Sequence, residues 1–144
     1  MSDKLERLKA LADKAGTIST YEIERKKNHK RLAELFRSLQ LEEKVSDYDR
    51  LFDFKAINLS GISLGDNNLG EITPGKYAQI IAILYVEGEG RKRAKNISLK
   101  YFGRVENLDE TLKNQILEFI LRWRFEKSFR TVDHYRGLLK KLDK

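Results

Sequence analysis

Residues 77–102, YAQIIAILYVEGEGRKRAKNISLKYF, decide how the rest of this 144-residue chain is read. Residues 77–86 are apolar at nearly every position, rich in isoleucine and followed by glycine, the pattern of a central strand. Ile97, Leu99 and Tyr101 then alternate with Ser98, Lys100 and Phe102, as in a half-buried strand. The glycine-punctuated basic loop between them, Glu87 to Asn96, predicts a β-hairpin with its tip aimed at a polyanion. From Arg91 to Arg104 there are six cations (Arg91, Lys92, Arg93, Lys95, Lys100 and Arg104) and no acid. Such a finger displaces counterions from phosphates, and a two-stranded ribbon fits a DNA major groove. A solvated tip kept basic to blunt an exposed edge is the plainer alternative.

Upstream of the hairpin, Ile57 and Leu59, continued by Ile62 and Leu64, alternate in the manner of a third strand broken at Gly61. Residues 65–70 and Pro74-Gly75 carry turn chemistry. Downstream, Asn107 or Asp109 caps a helix over 108–125. Its stripe of Leu108, Leu112, Ile116, Phe119, Ile120 and Trp123 is wide enough to be buried against a sheet. After a pause near Ser128, a last helix over 131–142 is expected to turn Val132, Tyr135, Leu138, Leu139 and Leu142 inward.

At the other end, Leu5, Leu8, Leu11, Ala12 and Ala15 share one face of a short helix over 3–15, with Gly16 as its stop. Thr17 to Thr20 offer caps for a second helix over 20–39, whose Leu32, Leu35, Phe36 and Leu39 form a core stripe. Residues 24–31, ERKKNHKR, contain no apolar side chain and are expected outside the core, in solvent, in an interface or against phosphates. The whole reads as one α+β domain: two N-terminal helices, a three-stranded antiparallel sheet with a basic hairpin, and two C-terminal helices packed on the sheet.

Net charge is +7, from 29 Lys and Arg against 22 Asp and Glu, which favours anionic partners without bearing on fold. There is no cysteine, so disulfides and thiolate zinc sites are excluded. The start, Met1-Ser-Asp-Lys, lacks the profile of a signal peptide, and no apolar run reaches membrane-spanning length; a cytoplasmic protein is expected.

Two further clusters extend the basic hairpin. Arg25, Lys26, Lys27, Lys30 and Arg31 lie in the polar half-helix, and eight cations against three acids run from Arg122 to the end. Their bland reading is a salt-bridged helix face, with Glu22, Glu24, Glu34 and Glu126 at hand. Tyr77, Tyr85, Tyr101 and Phe102 on the sheet are suited to stacking unpaired bases, although aromatic strand residues are expected mainly in the core, as is Trp123. Support for catalysis is thin. His29 and His134 sit apart, without metal-ligand spacing, and are expected on the surface. Asp66, Glu71 and Lys76 only loosely imitate a nuclease cluster and read better as turn residues. No catalytic residue, metal or cofactor is expected.

With its tyrosine-bearing apolar strand (Tyr77, Tyr85), its Arg/Lys-rich turn (Gly90 to Lys95) and the run Lys100-Tyr-Phe-Gly-Arg-Val105 before a helix, residues 76–108 resemble the N-terminal hairpin region of insertion-sequence transposases. Three strands followed by a helix also resemble the sheet-reading DNA-binding modules of plant transcription factors and phage-type integrases. Both resemblances imply DNA as partner; the catalytic core of the transposases has no counterpart here. The expectation is therefore a nucleic-acid-binding protein, DNA before RNA, serving a virus, plasmid or mobile element as an accessory or regulator. The alternative is a protein–protein assembly module, a virion or complex subunit that associates with itself or a partner through the acidic residues 42–53 and the basic surfaces.

Overall fold

A computed structural model describes residues 2–143 of the chain, with backbone alone at residues 2 and 12–19. Helix α1 spans Ser2–Ser38, strands β1, β2 and β3 span Ala56–Ser60, Tyr77–Gly88 and Arg91–Arg104, and helix α2 spans Glu110–Leu142. Short 3-10 helices at Leu41–Glu43, Tyr48–Asp53 and Val105–Asn107 make the corners. The strands form one three-stranded antiparallel sheet, as expected, in the order β1-β2-β3. Gly61 ends β1 with φ +86°, where a Cβ would meet Val105 Cγ1 at 2.7 Å and the Tyr77 carbonyl oxygen at 2.8 Å. No helix of the described residues is long and apolar enough to cross a membrane.

Burial along β2 shows which face of the sheet is covered. Ala78, Ile80 and Ala82 are buried, together with Ile57 of β1 and Leu99 of β3. They meet Leu32, Leu35, Phe36 and Leu39 of α1, Leu41, Leu51 and Phe52 of the 3-10 segments, and Ile116, Phe119, Ile120 and Trp123 of α2 in one hydrophobic core. Trp123, expected there, is buried and donates its indole N–H to the Leu51 carbonyl at 2.8 Å. Asp109 is the α2 cap, accepting from the Leu112 amide at 2.7 Å. The acidic 42–53 stretch is not a separate surface element, because Val45, Leu51 and Phe52 anchor it in this core.

The helix count differs from the expectation. The two N-terminal helices are one, and so are the two C-terminal helices. At the anticipated C-terminal break, Ser128 Oγ donates to the Phe125 carbonyl at 2.6 Å and Thr131 Oγ1 to the Lys127 carbonyl at 2.9 Å. Both hydroxyls bond back along the helix and so fit within it instead of capping it. At 37 and 33 residues, the helices are about 55 and 50 Å long, longer than the core they serve.

The helices run antiparallel: Arg31 meets Glu118, Arg25 meets Glu126, and the Tyr21 ring stands edge-on to Phe129. One side of the ERKKNHKR segment, Arg25, Asn28, His29 and Arg31, therefore packs through a polar seam, while Glu24, Lys26, Lys27 and Lys30 stay exposed. Asn28 is buried, donates to the Arg122 carbonyl at 3.0 Å and accepts from Arg122 Nη1 at 3.1 Å. Beyond this seam both helices extend past the core. Leu5, Leu8 and Leu11 are exposed, and so are Val132, Tyr135, Leu138, Leu139 and Leu142, which the sequence pattern turned inward. Their periodicity is that of an apolar face, yet the body ends before reaching them. The side chains of Ala12 and Ala15 lie outside the described residues.

Candidate nucleic-acid interface

β1 pairs with β2 only as far as Ile83, opposite Ala56. Beyond it the β2–β3 ladder continues alone, from Leu84 opposite Lys95 to Gly88 opposite Arg91. Five residue pairs of unsupported ribbon project about 17 Å from the sheet. The basic stretch is thus strand and not loop. Only Glu89 and Gly90 form the turn, with φ of 50° and 79°, the two-residue type I′ geometry whose twist matches a hairpin.

Register assigns each cation to a face. Arg91, Arg93 and Lys95 lie opposite Gly88, Val86 and Leu84, on the side of the sheet that faces the core further down. Lys92 and Ala94 lie opposite Glu87 and Tyr85 on the open side. All of residues 91–95 are exposed, and among the described residues Arg91, Lys92, Arg93 and Lys95 have no ion-pair partner. Four unneutralised cations at the end of a two-stranded arm concentrate positive potential where no low-dielectric body obstructs approach.

The other sequence candidates are placed differently. Lys100 reaches Glu43 at 3.7 Å and Arg104 reaches Glu106 at 3.6 Å, so both are partly neutralised at the base of β3. Arg25 is engaged: its Nε and Nη2 donate to Glu126 at 3.0 and 2.9 Å, and Nη1 donates to Asp133 at 2.5 Å. Arg31 donates to Glu118 at 3.0 and 2.9 Å and to Glu34 at 3.3 Å. Carboxylate hydrogen bonds drive both guanidinium pKa values further up, against the opposing pull of burial. Lys26, Lys27 and Lys30 stay exposed without ion-pair partners among the described residues, on the same helix but turned away from α2. Four of the C-terminal cations are also engaged. Arg122 pairs with Glu118 and Arg130 with Glu126, Arg124 donates to the Ile57 carbonyl, and Lys127 donates to the Phe52 carbonyl.

Sequence reading missed the root of the ribbon. A depression of about 220 Å³ opens beside Leu84, bordered by Lys44, Arg50 and Asp53, with Lys55 close by and its Nζ 5.8 Å over the Tyr85 ring. Lys44, Arg50 and Lys55 are exposed. Chain separation hid them, since they come from the acidic 42–53 stretch and the residues just after it.

The open face of the sheet is more aromatic than expected. Tyr77 and Tyr101 are 51% and 55% exposed, with ring centroids 5.7 Å apart, and Tyr85 is 50% exposed. Tyr77 and Tyr85 lie on the odd-numbered face of β2, and Tyr101 of β3, paired with Gln79, lies on the same exposed side of the sheet. Phe102 alone packs against the core. The stacking surface considered from sequence is thus solvent-accessible.

His29 is only partly exposed and has polar partners on both ring nitrogens. Its Nδ1 lies 2.8 Å from the Tyr48 hydroxyl and its Nε2 lies 3.1 Å from Glu126 Oε1. His134 is exposed and stands against the Tyr135 ring. Asp66, Glu71 and Lys76 are exposed around the 61–76 loop, and no cluster of three His, Asp or Glu able to hold a metal occurs among the described residues. Comparison of the chain with protein-family models, with curated proteins and with solved structures returns no match.

Proposed function

We propose that this chain binds nucleic acid, DNA in preference to RNA, by laying the β2–β3 ribbon into the major groove of a duplex. The observation that carries the reading is the ribbon itself: two strands, projecting alone, with Arg91, Lys92, Arg93 and Lys95 exposed and unpaired. A major groove about 12 Å wide admits a two-stranded ribbon, and arginine forks can reach guanine O6 and N7 there. Lys44, Arg50 and Lys55 at the ribbon root, with Lys100 and Arg104 behind them, extend the phosphate contacts. Lys26, Lys27 and Lys30 form a second, helical patch. Arg25 and Arg31 serve the α1–α2 seam and leave the binding set. The likeness of residues 76–108 to transposase hairpins and sheet-reading modules supports DNA and an accessory or regulatory role for a virus, plasmid or mobile element.

Fluorescence anisotropy with labelled duplex DNA, single-stranded DNA and duplex RNA of equal length tests the reading. Duplex DNA is expected to bind most tightly, because the deep, narrow major groove of A-form RNA excludes the ribbon. Equally weak binding to all three overturns it.

A further inference from the structure

We infer that the open face of the sheet is a stacking platform for the unpaired bases of a DNA strand. Register fixes its membership. Tyr77 and Tyr85 mark its two ends on β2, about 26 Å apart, and Tyr101 of β3 joins Tyr77 at one of them. The Tyr77 and Tyr101 rings are tilted by 33° to each other and offer one joint aromatic surface. Between the ends lie Ile81 and Ile83, which belong to neither buried core cluster. Gln79 and Ser98 share the same face and are hydrogen-bonded to each other. Asn58 and Asn96, paired with Ile81 and Ile83, are exposed beside them.

Three observations favour an unpaired strand as occupant. Chemistry is the first. The aromatic rings are separated by amides and hydroxyls, so the face is not continuously apolar as a protein cover would require. Rings accept the π-face of any base, and amides and hydroxyls pair with the base edges that an unpaired strand leaves open. Charge is the second. Register brings no carboxylate onto the face from Tyr77 to Tyr85, while cations stand at both ends. Arg104 lies opposite Tyr77, although Glu106 is 3.6 Å from it, and Lys55 Nζ lies 5.8 Å over the Tyr85 ring. Continuity is the third. Tyr85 pairs with Ala94 beyond the end of β1, so a strand lying on the platform runs directly onto the ribbon. The choice of DNA rests on the reading of the ribbon given above, but the side chains are different ones. The ribbon holds phosphates of a duplex, and the platform holds bases that have left it.

Anisotropy with a labelled thymidine strand of about 12 nucleotides and an abasic strand of equal length and charge tests the inference on the full chain. The strand with bases is expected to bind roughly tenfold or more tightly. That difference should vanish in Tyr77→Ala/Tyr101→Ala and persist in Tyr77→Phe/Tyr101→Phe, because the ring and not the hydroxyl does the stacking. Both side chains are more than half exposed, so the melting temperature of either variant should match the native chain. Equal binding of the two strands overturns the inference, and so does an alanine variant that keeps the difference. A mass of twice 16.9 kDa that the alanine variant loses also overturns it, by making the face a contact between copies. Duplex affinity, measured alongside, should be unchanged in the alanine variant. Duplex binding that fails while the base-dependent difference holds removes the ribbon reading and leaves the platform standing.

Discussion

Glu126 of α2 is wholly buried and receives Arg25 of α1 as a two-point fork, through Nε at 3.0 Å and Nη2 at 2.9 Å. Arg130 Nε adds a bond at 3.0 Å, and His29 Nε2 lies 3.1 Å from the same carboxylate. Burial alone would raise the Glu126 pKa. The hydrogen bonds from Arg25 and Arg130, with the electrostatic pull of His29 and Arg25, overcome it and hold the carboxyl below its ordinary value. One carboxylate thus clamps the two helices where their apolar contact runs out.

Replacing Glu126 by Gln keeps the shape and removes the charge that Arg25 and Arg130 share. The loss is expected to be about 3 kcal/mol, at the low end for a broken buried pair because Asp133 still holds Arg25. Urea unfolding monitored by Trp123 fluorescence measures it.

Acid should unfold the chain through the same carboxylates. Glu118, held by Arg31 and Arg122, and Glu126 both have lowered pKa values, so the folded state binds fewer protons than the unfolded one just below the ordinary carboxylate range. Their contribution is complete above about pH 4.5 and is lost as pH falls through the lowered values. Glu126→Gln should flatten this acid limb in thermal melts taken at successive pH. At the alkaline end, burial and then the Glu126 charge raise the Tyr48 pKa, so the preference for its neutral form weakens stability above about pH 10.

The ribbon turn carries a local penalty. Glu89 holds a φ of 50°, a left-handed conformation that suits Asn or Gly better. Glu89→Asn should stabilise the protein by about 0.5–1 kcal/mol and also remove one of the two acids, Glu87 and Glu89, near the ribbon tip. An equal or lower melting temperature would contradict the turn assignment.

Gly61 has less freedom. Alanine there would keep a strained φ of +86° and drive its Cβ into Val105 and the Tyr77 carbonyl. A loss of about 2–3 kcal/mol is expected, read as a shift of the urea midpoint at unchanged slope.

Much of the fold was legible in local pattern. Alternation at Ile57 and Leu59, the isoleucine run before the basic stretch, and the Ile116 to Trp123 stripe each report a partner face within a few residues of themselves. Helix length was not legible. Gly16 and Ser128 read as stops and Thr131 as a new start, yet the backbone stays helical through all three, and the two hydroxyls bond back to their own turn. The polar seam was hidden for another reason: Arg25 and Glu126 are 101 residues apart, and only the tertiary fold shows which cations are consumed and which stay free. The same holds for the open tyrosines, since alternation shows that a strand has two faces but not which one the helices cover. At the candidate interface the four ribbon cations were legible because they are contiguous, whereas Lys44, Arg50 and Lys55 at its root were not.

The central claim is that the ribbon, and not general basicity, holds the nucleic acid. Affinity for a labelled 20-base-pair duplex should be measured across a salt series for the native chain and for Arg91→Glu/Lys92→Glu/Arg93→Glu. The native chain is predicted to give a log–log slope of about −4 to −5. The triple variant should lose roughly 100-fold or more in affinity and flatten to a slope near −2, with an unchanged melting temperature. A native slope near zero, or a variant that binds as the native chain does, would contradict the claim.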